Sequence, residues 1–545
     1  MPQPSATHGS ASVGGLQRAM SAGTLTSAAA TAFYLDRIDR LNPTLHAVIT
    51  VNRAAVEQAR ASDAVRAHSG ARGPLEGIPV LVKDNVEVAG MPTTAGSPAL
   101  LGEPGNHDRD AFIVSRLRAA GAVIVGKANL SEWANFRSTH GTSGWSTLGG
   151  QTANPFALER NPSGSSSGSA VGVAAGLAPI AVGTETDGSI VCPSSACGVV
   201  GIKPTLGLVS RSGIVPISAA QDTAGPMARS VTDAAALLSI LAAADPDDPA
   251  VHCSGSDYST GSRPADYTAY CDPAGLQGAR IGVWRTGSTL AGPATAAVLD
   301  RAVARLRDQG AQVIDPVELP DTEKIGLAEV GALLPEFKHD LEAYLAGLPG
   351  ARYRTLADLI RFNERNAELV LARFGHEVFE KAAASSSDLT DRGYRRLRAD
   401  ATRLARAAIE TPLVKHRLDA VFALTASPAW LTDYTLGDHD VFHTSGPAAV
   451  GGFPAVSLPF GYVWGLPVGV SFMGPRWSEP RLIALAYAFE QAGERAVERA
   501  VEQAATAVSS PSAVLSPPHV TTGPPPQLAR TLVPLPVPAG PGLAR

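Results

Sequence analysis

Apolar positions along the chain recur with two periods, and the switches between them outline the fold. The stretch "LTSAAATAFYLDRIDRLNP" sets Tyr34, Ile38 and Leu41 at helical spacing. Residues 13 to 69 read mostly as helix, with Pro43 marking the end of this one. Next comes "GIPVLVKDNV" (77–86), a short β-branched run that reads as a buried strand, with Lys83 where the apolar residues stop. A helix with Ile113, Val114 and Leu117 on one side, and Arg116 and Arg118 elsewhere, leads into a second buried strand, "AAGAVIVGKAN" (119–129). Helices alternating with buried strands imply an α/β fold on a mixed or parallel sheet.

From 151 to 204 the chain is rich in Gly, Ser and Ala with little charge. Interleaved Val, Ile and Leu, and the strand-like "LAPIAVGT" (177–184), favour tightly packed backbone over a linker. Residues 290 to 415 are more charged, as in "YRRLRADATRLARAAIE", and read as an outer helical layer. Strands return at "DAVFALTAS" (419–427) and "FPAVSLPFGYVWGLPVGVSFMG" (453–474), followed by a last helix, "EPRLIALAYAFEQAG". Beyond about Ala505 the chain is proline-rich and expected to be disordered. The organisation expected is a flexible N-terminus (1–12), one domain (13–504) and a tail (505–545). Within the domain, N-terminal helices (13–69) precede the motif-bearing core (70–245), a helical layer (246–418) and the final core strands and helix (419–504). No internal repeat is visible.

Composition narrows the function classes. A chain of 545 residues, 45% hydrophobic and with a formal net charge of −5, suits a large α/β core and offers no basic face for nucleic acid. Its longest apolar stretch, 170–183, is too short and glycine-rich to span a bilayer. "MPQPSATHGSASVGG" lacks the basic and apolar regions of a secretory signal, so the expected location is cytoplasmic. Of the four cysteines, Cys192 and Cys197 read as buried thiols. Cys253 and Cys271 bracket a polar loop and could pair under oxidising conditions. No Cys/His spacing resembles a metal site.

Candidate chemistry concentrates in serines. "NPSGSSSGSAVGVAAG" (161–176) holds Ser163, Ser165, Ser166, Ser167 and Ser169, and Gly164–Gly168 matches the G-x-S-x-G elbow that would make Ser166 a nucleophile. An elbow needs a preceding strand. "TANPFALERNPS" has two Asn-Pro pairs and no apolar alternation. His439 and His443, with Asp438 and Asp440 as ordinary loop neighbours, support that reading no better. A second arrangement lies in "VGTETDGSIVCPSSACGVVGIKPT" (182–205), where a turn before Ser189 can present several backbone N–H groups to an oxyanion. Lys83, at the end of a buried strand, is a candidate base, because desolvation eases loss of its proton. Each residue also has a bland reading, as polar turn or surface lysine.

"GIPVLVKDN", "NPSGSSSGSAVGVAAGLAPIAVGTETDGSI", "CGVVGIKPT" and "DTAGPMARSVTD" together, in order and spacing, resemble the amidase signature family over roughly residues 15 to 500. The resemblance implies a mixed β-sheet wrapped by helices, no metal or organic cofactor, and a Ser–Ser–Lys triad. Carried over by position, Ser189 is the nucleophile, Ser165 the bridging serine after a cis Gly164–Ser165 bond, and Lys83 the base. Backbone N–H groups of Thr186, Asp187, Gly188 and Ser189 would form the oxyanion hole. Ser166 is placed to touch the triad, and the other serines serve as loop hydrogen-bonders. Asp187-Gly188 replaces the family's usual glycine pair, and Val191 replaces a frequent arginine, which weakens any reading with an anchored substrate carboxylate. Asp187 is expected to cap the turn. This version, with "GWSTLGGQTANP" (144–155), looks most like peptide amidases, which remove the C-terminal amide of peptides. Other readings are an amidase of aliphatic, aryl or fatty-acid amides, a catalytically dead amide-binding protein, and an amidotransferase A-type subunit. The expected partner is a small-molecule or peptide amide acting on a monomer or homodimer, without nucleic acid or an integral membrane segment.

Overall fold

A computed structural model describes residues 11–103, 105, 108–252 and 263–508. Its strands are β1 (Val48–Val51), β2 (Pro79–Lys83), β3 (Val123–Ala128), β4 (Trp145–Ser146), β5 (Gly150–Gln151), β6 (Ile180–Glu185) and β7 (Val200–Lys203). They continue with β8 (Thr223–Ala228), β9 (Arg280–Val283), β10 (Gln312–Ile314), β11 (Ala420–Leu424), β12 (Ala455–Val463) and β13 (Leu466–Met473). Eleven of them form one sheet in the order β1-β3-β2-β6-β8-β7-β12-β13-β11-β9-β10, and β4 pairs with β5 in a small ribbon. The sheet is mixed: β2 runs parallel to β3 and β6, while β6 and β8 are antiparallel.

Side-chain alternation explains why these runs are apolar throughout. Val80 and Val82 of β2, with Ile180 and Val182 of β6, face a core layer closed by the helices Val231–Leu241 and Glu479–Val508. Leu81 and Ala181 point the other way, onto Ala170, Val171 and Val173 of the helix Ser167–Ala174. A strand covered on both faces has no polar side to show.

Several expectations shift in detail. The helix Ser27–Leu45 runs two residues past Pro43, which sits in its last turn and ends it one step late. The N-terminal segment contains β1, and the outer helical layer contains β10. The stretches around 200 and 225, to which the sequence assigns no strand, are β7 and β8, whose Gly201 and Gly225 lie under neighbouring side chains and backbone. At the N-terminus Ser12 caps a helix and the Ala11 carbonyl accepts from Arg229, so residues 11 and 12 are anchored. The last helix reaches Val508; residues 1–10 and the chain from 509 lie outside the described residues, as does Cys253. Cys271 is half-buried. Among the described residues no helix is long and apolar enough to cross a membrane.

Candidate active site

Because β2, β3 and β6 are parallel, the loops leaving their carboxyl ends meet at one edge of the sheet, the edge where open α/β sheets build their sites. Lys83 is the last residue of β2 and shares the face of Leu81, under the helix Ser167–Ala174. Its Nζ lies 2.8 Å from Ser165 Oγ, 2.9 Å from Thr184 Oγ1 and 3.2 Å from the Thr184 carbonyl oxygen. Ser165 Oγ lies 3.0 Å from Ser189 Oγ. The three side chains make one unbroken hydrogen-bonded line. Lys83 and Ser165 are wholly buried, and Ser189, 7% exposed, is the end open to a substrate.

Backbone contacts hold the line in place. The Ser165 carbonyl accepts from the Ser131 N–H (3.1 Å), and the Ser166 N–H donates to the Ser189 carbonyl (3.1 Å). The Gly164–Ser165 peptide is cis. A Cβ on Gly164 would stand 2.3 Å from Ser131 Oγ, so only glycine fits there.

Burial lowers the Lys83 ammonium from its ordinary 10.5 to about 7, although distant Asp222 and Glu185 pull the other way. Among the described residues no carboxylate is in hydrogen-bonding contact with it. Burial also lowers two further lysines: Lys127, which forms an ion pair with Asp84 at 3.0 Å, and Lys203, lowered to about 8, which donates to the Pro204 carbonyl at 3.1 Å. What sets Lys83 apart is its hydrogen bond to Ser165, which leads on to Ser189.

The turn after β6 is held from both sides. Glu185 accepts from the N–H groups of Ile190 (2.7 Å) and Val191 (3.0 Å). Thr186 Oγ1 donates to Asp222 (2.6 Å), a carboxyl pushed up to about 6 by burial, and Gln221 donates to the Thr186 carbonyl (2.9 Å). Gly188 has φ +74°, and a Cβ there would stand 2.8 Å from Cys192 Sγ. The N–H groups of Thr186, Asp187, Gly188 and Ser189 donate to no other described residue. Four undirected donors beside a serine hydroxyl suit a developing oxyanion. The cap expected of Asp187 is supplied by Glu185 instead; Asp187 Oδ1 is buried with no partner among the described residues. A cavity of about 390 Å³ adjoins the turn, lined by Asn85, Ala134, Thr184, Thr186, Ile217 and Tyr344 among others.

Ser166 is not presented as an elbow serine. It is wholly buried, donating to the Thr184 carbonyl (3.0 Å) and accepting from the Thr184 N–H (3.2 Å). His443 pairs with Asp440 at 2.9 Å, which raises it to about 9, so it is charged at neutral pH and cannot act as a base. Ser167 and Ser169 donate to the Ser163 and Val182 carbonyls. Sequence reading missed Thr184, Glu185, Gln221 and Asp222. Their only signal is proximity to the nucleophile turn: Lys83 reaches Thr184 from β2, and Gln221 and Asp222 reach Thr186 from 35 and 36 positions away, while Glu185 caps the turn itself.

The family model described as Amidase matches residues 29–483. The chain belongs to the amidase signature family. It is an amidase, a hydrolase of amide C–N bonds. A probable amidase of Arabidopsis thaliana is 43% identical over 479 residues, covering 86% of this chain and 87% of that protein. Among solved structures, the native peptide amidase from Stenotrophomonas maltophilia superposes with a TM-score of 0.83 at 47% identity, over 89% of this chain and 98% of that one. The peptide amidase PAM in complex with the competitive inhibitor chymostatin gives 0.84 at 49%, over 89% and 97%. The A-type subunit of a glutamyl-tRNA(Gln) amidotransferase from Moorella thermoacetica is 37% identical over 86% of this chain and 93% of that protein.

Proposed function

We propose that this amidase hydrolyses the C-terminal carboxamide of peptides through a Ser189–Ser165–Lys83 relay. The observation that carries the mechanism is the hydrogen-bonded line from a buried amine, which burial makes easier to deprotonate, to a hydroxyl beside the N–H groups of residues 186–189, which have no partner among the described residues. Lys83 draws a proton from Ser165 as Ser165 takes one from Ser189, and Ser189 Oγ bonds to the amide carbon. The carbonyl π pair moves onto oxygen, where the N–H groups of residues 186–189 hold it. The relay returns the proton to nitrogen, the C–N bond breaks with its electron pair going to nitrogen, and ammonia leaves. Water, deprotonated by the same relay, then opens the acyl-Ser189 ester to the carboxylic acid.

The peptide-amide substrate is supported by the extended similarity to peptide amidases and by the absence of an arginine at Val191 to anchor a substrate carboxylate. An amidase of other small amides is the second reading, and the likeness to the A-type subunits of amidotransferases keeps a glutaminase as the third. The purified chain alone is expected to release ammonia from a peptide amide. Ser189→Ala should lose that activity by roughly 10³-fold or more. A serine-reactive phosphonate should label Ser189. Turnover of glutamine or an aryl amide but not of peptide amides would reassign the substrate, and an adduct on Ser166 would reassign the nucleophile.

A further inference from the structure

The Thr186–Asp187 peptide is trans and planar, so the Thr186 carbonyl and the Asp187 N–H point in opposite directions from one rigid unit. Whatever fixes that carbonyl also aims that N–H. Gln221, 3% exposed, donates from Nε2 to the Thr186 carbonyl at 2.9 Å. The same amide nitrogen donates to Glu329 Oε1, and Arg398 Nη1 donates to Gln221 Oε1 at 3.1 Å. The Thr186 carbonyl on one side and a guanidinium on the other leave the amide a single satisfied orientation, since a flip would set its oxygen against that carbonyl and its nitrogen against Arg398. Arg398 is itself forked onto Glu336, which also accepts from Tyr394 and Ser218. Gln221's neighbour Asp222 holds the Thr186 hydroxyl. The plane cannot rotate without breaking the buried Gln221–Thr186 bond, and Gln221 is itself held by two elements of the helical layer, Thr322–Ala346 and Arg392–His416.

We infer that Gln221 is a positioning residue for the oxyanion hole: by holding the Thr186 carbonyl it aims the Asp187 N–H at the oxygen that becomes charged in the transition state. The inference rests on the proposed role of the 186–189 turn. Gln221 touches no reacting atom. Its effect should appear where charge has developed on the carbonyl oxygen, and not in ground-state binding.

The test compares wild type with Gln221→Leu and Gln221→Glu, each titrated with the serine-reactive phosphonate so that rates are per functional site. With a peptide amide and the matching peptide aldehyde, whose adduct with Ser189 places an oxyanion in the hole, kcat should fall about 10- to 100-fold and KM should stay within about twofold. The aldehyde Ki should rise by the factor that kcat/KM falls. Gln221→Glu keeps the shape of the side chain and decides the matter if Gln221→Leu does not fold. Its loss should deepen as pH rises and the introduced carboxyl ionises, because a carboxylate cannot donate to Thr186. A kcat per titrated site within about twofold of wild type, a change in KM alone, or an unchanged aldehyde Ki would overturn the inference. A wild-type enzyme that is neither labelled at Ser189 nor inhibited by the aldehyde would instead remove the mechanism beneath it.

Discussion

Lys83 is the residue on which the chemistry turns, and its protonation carries a cost to the fold. Unfolded, the amine keeps its proton up to about 10.5, whereas burial in the native state lowers that to about 7. Between those values the unfolded chain binds one more proton, so wild-type stability should rise with pH across that window. Replacing the amine by an apolar chain removes the dependence. The stability of Lys83→Met relative to wild type should therefore increase as pH falls from about 10.5 to about 7 and level off below. Urea unfolding of both proteins across that range measures it, and a pH-independent difference would mean that the amine is charged in the native state. The neighbouring Lys127 shows why burial alone does not make a base: burial lowers it too, but its ammonium lies on Asp84, Thr93 and the Pro92 carbonyl, with no serine among the described residues to draw a proton from.

At the scale of elements, the site is the product of strand ends. The buried runs that become β2, β3 and β6 are legible because parallel strands covered on both faces must be apolar, and Lys83 stands out as the charge that ends one of them. Ser165 and Ser189 are legible through the motifs around them. Thr184, Gln221 and Asp222 are not, because bonds from Lys83 to Thr184 and from Thr186, in the turn after β6, to Gln221 and Asp222 join residues more than thirty positions apart and leave no local pattern. Glu185 shows only as an acid beside the turn it caps. Strands β7 and β8 escape for a related reason: close packing requires glycines that weaken the strand signal. Gly188 offers a direct check on the turn. Its φ of +74° and the 2.8 Å approach of a Cβ to Cys192 Sγ mean that Gly188→Ala must shift the backbone carrying the N–H donors. We expect kcat/KM to fall about 100-fold or more while the melting temperature drops only a few degrees. Retained activity would argue that the oxyanion is held elsewhere.

For the molecule as a whole, the far half of the sheet supplies the clamp that closes the near half. Asp438, an unremarkable loop acid in the sequence, accepts from the Ser143 N–H (2.9 Å) and hydroxyl and from Trp430 Nε1 (3.2 Å), and burial pushes its carboxyl up to about 6. It ties the loop after β11 to the segment leading into the serine-rich loop, where the Asn161 N–H also donates to the Trp430 carbonyl (2.7 Å). Asp438→Ala leaves several buried donors unpaired and should cost about 2–4 kcal/mol of stability, read from denaturant unfolding. A change below about 0.5 kcal/mol would show the clamp to be dispensable.

All these parts converge on one assertion, that a neutral Lys83 takes the proton relayed from Ser189 through Ser165. The most direct measurement is kcat/KM for a peptide amide as a function of pH in wild type, Lys83→Ala and Lys83→Arg. The wild-type rate should fall as pH drops through about 7, where the buried amine gains its proton. Both variants should be inactive, because one has no base and the other holds a guanidinium that stays charged. Substantial turnover by Lys83→Arg, or an acid limb that survives in Lys83→Ala, would contradict the account.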